Sequence, residues 1–278
     1  MSQPHLAELG TGLYAFVNSD TGFGNSNVGL IIDPDGLTVV DTGPTPAYGA
    51  IVRRQIKRLV GDLDLPLKRC VLTSSRVPFS GGSSAFWQAA FYGSEVTSGQ
   101  LDGPVNLYAI RHLLPEHAGH YDDEFATRPI THEIAASAWI TQSTQCIAFP
   151  AESPGTLVAQ AAEAGVLFAG AFASFGVTPL AFDAEPAAWA DALEQVAEQV
   201  DTVIPGHGPI GGSGDLLQQA AYLRACVAAD GDPSQLGSGP WDQWTNREFD
   251  VINIERAAMV ARGDFAPPLS FLRLLDLA

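Results

Sequence analysis

Three runs of strand-forming residues follow one another within the first forty positions: Leu13-Tyr14-Ala15-Phe16-Val17, Val28-Gly29-Leu30-Ile31-Ile32 and Leu37-Thr38-Val39-Val40. A glycine-rich connection joins the first two, and the turn sequence Asp33-Pro34-Asp35-Gly36 joins the last two. Runs so short and so closely spaced predict antiparallel hairpins, since only tight turns reverse a chain in so few residues. A sheet of hairpins needs cover, and Ala47 to Val60 supplies it. That segment sets Ile51, Ile56, Leu59 and Val60 against Arg53, Arg54, Lys57 and Arg58, which predicts a helix with one apolar stripe.

The pattern then repeats. Cys70-Val71-Leu72 reads as a strand, and Ser83 to Tyr92, with Phe86, Trp87 and Phe91, as a helix opening after two glycines. Strand signals resume at Ile130 to Ile134, Ala138 to Thr141, Gln145 to Phe149, Thr156 to Gln160 and Val166 to Ala169. A helix is expected from Pro186 to Val200, a strand at Thr202-Val203-Ile204, and helices from Gly214 to Ala229 and over Trp241 to Arg262, ending before Pro267-Pro268. Two blocks of strands, each followed by helices, predict an α/β protein of two packed sheets with helices outside. No linker divides the chain, so residues 1–278 are expected to form one domain, with a helical extension over 239–278. Residues 99–129 break every period with His, Pro, Gly and acids and read as an insertion or short surface helices, in position to act as a lid.

Composition narrows the partners. Thirty-one acids against 14 Lys and Arg give a net charge of −17, which repels nucleic-acid phosphates and anionic lipid. One local arginine in a closed pocket can still outweigh that diffuse field, so a small organic anion remains compatible. Cys70, Cys146 and Cys226 are odd in number and widely spaced, which defines neither a disulfide framework nor a zinc knuckle. No apolar run is long enough for a membrane span and no basic-then-apolar segment opens the chain, so the cytoplasm is the expected location. Trp241, Trp244, Phe249, Phe265 and Phe271 give the tail an aromatic surface that can pack internally or against a second copy in a homo-oligomer.

Ionisable and polar residues collect where strands end. Asp41 follows Leu37 to Val40, Ser74 and Arg76 follow Cys70 to Leu72, Glu152 follows Gln145 to Phe149, and His207 follows Thr202 to Ile204. If they converge, Arg76 and Glu152 form a charged pair and His207 can exchange a proton near neutral pH. Structural roles are equally open: Asp41 can accept backbone N–H bonds, His207 can be a hydrogen-bonding residue between two glycines, and Arg76 with Glu152 can pair without any ligand. Only Asp41, Glu152 and His207 are metal-ligand types here, and a permanent guanidinium charge beside them disfavours a cation, so no metal and no cofactor is expected. His117 and His120 with Asp122 or Asp123 offer ligand types for a divalent ion, although His112 and His117 also suit a lid over a pocket. Gly206-His207-Gly208-Pro209-Ile210-Gly211 has the spacing of a dinucleotide loop, but Pro209 removes a backbone donor and no second strand with an acid follows.

The order of these motifs resembles the metallo-β-lactamase fold superfamily, especially its glyoxalase-II-like hydrolases. The resemblance runs from about Leu13 to Gly212, through Asn27-Val28-Gly29, Val40-Asp41-Thr42-Gly43, Thr73, Ser153-Pro154-Gly155, Val166 to Gly170 and Pro205-Gly206-His207-Gly208-Pro209. It implies a four-layer αββα sandwich of two mixed β-sheets flanked by helices. In that family a T-H-x-H-x-D-H loop, a histidine before S/T-P-G, an aspartate after a glycine and a final histidine hold two metal ions. Here Thr73 is kept, Ser74, Arg76, Pro78 and Phe79 replace the loop's ligands, Glu152 replaces the next histidine, and Ala171 replaces the aspartate. Of seven metal positions only His207 remains.

The loss of Pro78's and Ala171's aspartates removes acids that would be costly once unpaired, and Arg76 opposite Glu152 offers a metal-free charge balance. The resemblance therefore implies a metal-free protein that binds or transforms a small, carboxylate-bearing molecule in the former metal cavity. Arg76 would meet the anion, Ser74 would hydrogen-bond, Phe79 would give apolar contact, and His207 would be the better proton acceptor than Glu152. Two other readings stand beside it: a pseudoenzyme or interaction module whose cavity is filled, and a metal-dependent hydrolase with atypical ligands.

Overall fold

In the computed structural model, residues 3–18, 22–61, 63 and 65–278 are described. One sheet has seven strands in chain order: β1 (His5–Gly10), β2 (Leu13–Val17), β3 (Val28–Asp33), β4 (Gly36–Val40), β5 (Leu67–Val71), β6 (Ala90–Ser94) and β7 (His132–Ile134). The hairpins β1 to β4 are antiparallel, and β4 to β7 are parallel. The second sheet contains β8 (Ser137–Trp139), β9 (Thr144–Phe149), β10 (Thr156–Ala161), β11 (Val166–Ser174) and β12 (Thr202–His207), in the order β12-β11-β10-β9-β8. Only its β11–β12 pair is parallel.

The helices are α1 (Pro46–Val60), α2 (Val77–Ser80), α3 (Glu95–Leu101), α4 (Leu107–Leu113), α5 (Pro186–Ala197), α6 (Ser213–Ala228), α7 (Asp250–Ala261) and α8 (Leu269–Leu274). Thr45 caps α1 by accepting from the Tyr48 N–H, Pro46 opens it, and Tyr48, Val52, Ile56 and Val60 form the stripe it buries. That stripe meets Leu30, Val39, Cys70 and Phe91 on the outer face of the first sheet. Between the sheets lie Ile31, Val40, Val71, Leu157, Phe168 and Ile204. Trp189, Leu193, Leu216 and Leu223 of α5 and α6 pack on the second sheet's outer face. Three apolar interfaces thus separate four layers, the αββα sandwich expected from the strand and helix blocks.

Two local expectations are corrected. Ser83 to Tyr92 is not one helix. It is a 3₁₀ turn at Ser83–Phe86 followed by β6, where Phe91 pairs with Cys70, and Trp87 is left exposed. Trp87 and Phe91, four residues apart, fit a helical stripe in sequence, but parallel pairing beside β5 satisfies the backbone of Ala90 to Ser94 and wins. The expected helix over 241–262 is two 3₁₀ turns followed by α7, and α8 begins after the Pro267-Pro268 pair. The edge strand β1 was not legible, because its exposed face carries little of the apolar signal on which such readings rest. Within 99–129 the chain forms the end of α3, α4 and a 3₁₀ segment, the short helices that the broken periodicity allowed.

Gly29 shows how closely the sheets approach. A Cβ built there would lie 2.3 Å from Phe168 Cδ1, so this position makes room for the ring that crosses from β11. Gly29→Ala is expected to lower stability by about 1–3 kcal/mol in urea unfolding, through overpacking. Gly99→Ala, where an added Cβ meets nothing within 4 Å inside α3, should raise it by about 0.5–1 kcal/mol.

Candidate functional site

At the strand ends the first buried group is Asp41, in a left-handed conformation with φ 62°. Its carboxyl accepts the Thr73 N–H at 2.8 Å and the Thr73 hydroxyl at 2.8 and 2.9 Å, and Thr73 Oγ1 in turn accepts the Ala171 N–H at 3.0 Å. Asp41 therefore ties the ends of β4 and β5 to β11 of the other sheet. Burial pushes its carboxyl up to about 8, against the Thr73 donors. Gly170 is required beside it, since with φ +49° its Cβ would stand 2.3 Å from Thr73 Oγ1.

The loop after β5 turns into the short helix α2 and is fixed from below. Thr42 donates from N and Oγ1 to the Phe79 carbonyl at 2.8 Å each, and Ser26 Oγ donates to the Pro78 carbonyl. Phe79 is fully buried, and its ring lies 5.2 Å from the His207 ring. On another side Phe23 lies 4.9 Å from the same ring. His207 Nδ1 donates to the Asn25 carbonyl at 3.2 Å, which leaves Nε2 as a bare acceptor, buried and without a hydrogen-bond partner among the described residues. Burial lowers its pKa to about 4, so the ring is neutral at physiological pH. His207 is walled in by phenyl rings.

Arg76 and Glu152 meet. Arg76 Nε stands 3.2 Å from Glu152 Oε1, off the N–H axis, so neither Nε nor Glu152 Oε2 has an aligned hydrogen-bond partner. Arg76 Nη2 donates to the Glu152 carbonyl at 3.2 Å and lies 3.8 Å from Asp183 Oδ2. Its Cζ sits 3.9 Å above the Phe182 ring, which stacks on Phe271 at 3.8 Å. Glu152 is buried, and burial raises its pKa to about 7 in spite of Arg76 and a Ser74 hydrogen bond. Ser74, also fully buried, accepts the Arg76 N–H at 3.2 Å.

The open space is beside this group. A cleft of about 250 Å³ runs from Arg76, Val77 and Pro78 to the wall formed by α4 and the turn before it, with Phe182, Phe271 and Leu275 along one side. Its lining is apolar apart from Ser75, Gln100, Asn106, Thr127 and one ionisable side chain, Arg76. Asp41, Ser74, Phe79, Glu152 and His207 do not line it. His117 is buried behind it, with Nε2 at 3.1 Å from both the Gly24 carbonyl and Asn25 Oδ1, and so holds the loop that carries Phe23. His112 faces away, with its ring 4.1 Å from Tyr108 and Nε2 3.7 Å from Asp276 Oδ2. Phe182, Gln100, Ile110 and Phe271 are cleft residues that no sequence motif marks.

These side chains do not fit a metal centre. Among the described residues no three of His, Cys, Asp and Glu are grouped to hold an ion, which includes the histidines and acids of 112–124. At the family's ligand positions stand a hydroxyl, a guanidinium, two apolar rings, a methyl and a carboxyl paired to that guanidinium. This argues against di-zinc hydrolysis.

Solved structures decide the architecture. The FIM-1 metallo-β-lactamase of Pseudomonas aeruginosa in its mono-zinc form superposes with a TM-score of 0.60 at 18% identity, over 79% of this chain and 95% of that one. The chain has the metallo-β-lactamase fold. The metallo-β-lactamases of Hirschia baltica (TM-score 0.59, 18% identity, 80% of this chain and 98% of that one) and Erythrobacter litoralis (0.57, 20%, 79% and 97%) show the same likeness. No family model and no curated protein matches the sequence.

In this version of the metallo-β-lactamase fold the ion pair has a stability signature. Arg76→Ala leaves Glu152 buried without its cation, and is expected to cost about 3 kcal/mol at alkaline pH. Glu152's folded pKa is raised, so the folded state holds the proton more tightly, and its stabilisation falls as pH rises through about 7. Without Arg76 that pKa rises further, so the loss should be smaller near pH 6 than near pH 8 in denaturant titrations.

Proposed function

We propose that this chain binds a small, largely apolar carboxylate in the cleft beside Arg76 and does not hydrolyse it. One observation carries the reading: a single cation stands at the floor of an otherwise uncharged, mainly apolar cleft. The acidic surface repels polyanions, whereas one guanidinium with Nη1 donating to no described residue can take one carboxylate. Turnover through His207 is not supported, because Phe23 and Phe79 stand against its ring and it lines no part of the cleft. We read the chain as one domain, with 99–129 as the lid of this cleft and 239–278 as a helical extension that lends it Phe271. Among the described residues no helix is long and apolar enough to cross a membrane.

A second reading is a pseudoenzyme that acts as an interaction module. Phe79, fully buried at a position where the resembled family carries a metal ligand, favours it. Ligand binding separates the two. Calorimetry near pH 6 with medium-chain and aryl carboxylates and their amides should show the amides binding at least about tenfold more weakly. Ala109→Trp, which fills the cleft from α4, should abolish binding. Carboxylate binding untouched by Ala109→Trp, or no binding by any member, would leave the interaction module as the better account.

A further inference from the structure

Glu152 and an incoming carboxylate would compete for the same guanidinium, since Arg76 lines the cleft and Glu152 lies behind it. The pair is loosely made. Of five guanidinium N–H groups one donates to Glu152's backbone carbonyl, Nε is misaligned towards Oε1, and Nη1 makes no hydrogen bond with a described residue. Glu152 Oε2 is buried with no hydrogen-bond partner among the described residues, which is a poor site for a full negative charge and a good one for a proton. Three ionisable groups face this carboxyl from the elements packed on it: Arg76 after β5, Asp183 between β11 and α5, and Asp41 at the end of β4. Two of the three are acids: Asp183 favours the protonated form, while the Asp41 carboxyl is itself held up to about 8 by burial.

We propose that Arg76 is a shared cation, neutralised by Glu152 in the empty protein and by the ligand carboxylate in the complex, with Glu152 taking up one solvent proton as the ligand enters. This rests on the cleft being the binding site. The balance is simple: a proton leaves solvent or buffer and bonds to a Glu152 carboxylate oxygen, the ligand stays ionised, and the charge around Arg76 is unchanged. Since burial already holds the Glu152 pKa at about 7, the exchange needs only a modest further shift. Binding thus strengthens as pH falls towards about 7 and levels off below it, because there the proton is already in place.

Octanoate is the probe. Calorimetry at about pH 8 in two buffers of different ionisation enthalpy should show proton uptake approaching one per octanoate bound, and affinity should rise by at most about tenfold per pH unit as pH is lowered to about 7. Glu152→Gln should bind at pH 8 as tightly as the wild type does at pH 6, with no uptake and a flat profile. Infrared difference spectra of the wild type need no variant, and octanoate should bring up a protonated carboxyl band. Binding with no uptake, no such band, or uptake that persists in Glu152→Gln would overturn the shared cation and leave the cleft's use intact. No octanoate binding at pH 6 would overturn both.

Discussion

The ion pair between Arg76 and Glu152 sets what the strand ends of this fold can hold. A guanidinium cannot shed its charge, so placing one where metal ligands would converge demands a counter-charge within reach, and Glu152 supplies it at 3.2 Å. Once the positive charge belongs to the protein, acids that would otherwise balance metal ions have nothing to pair with. Pro78 and Ala171 are uncharged, and Phe79 fills the remaining volume against His207. Asp41 persists because its work is different. Through Thr73 it joins the two sheets, and that hydrogen-bond chain does not depend on any ion.

The consequences run outward from that pair. Burial against Phe79 and Phe23 leaves His207 neutral and out of reach, held by the Asn25 carbonyl. The loop that carries Phe23 is fixed from the other side by His117. A neighbouring cleft is open where the guanidinium shows its free edge, backed by the Phe182 and Phe271 stack. The proposed binding chemistry thus lies a few side chains away from the strand ends.

Much of this was legible in the sequence, for identifiable reasons. Hairpins at Leu13 to Val40 and the α1 stripe are encoded by local periodicity, which tertiary packing here reinforces. The pairing of Arg76 with Glu152 was legible because both sit at strand ends whose edge the topology fixes. Other features were not. The segment from Ser83 to Tyr92 carries a pattern compatible with helix or strand, and only its partner β5 decides. The sealing of His207 depends on ring placement rather than residue type. Cleft residues such as Phe182, Ile110 and Phe271 come from three distant segments that no local pattern links.

Metal content tests most directly whether a fixed guanidinium has taken the place of bound cations. Protein purified without a metal-affinity tag, dialysed with excess zinc and then against metal-free buffer, should retain far less than one equivalent of zinc, iron or manganese, and His207→Ala should change nothing. Retention of one equivalent or more, lost in His207→Ala, would contradict the account.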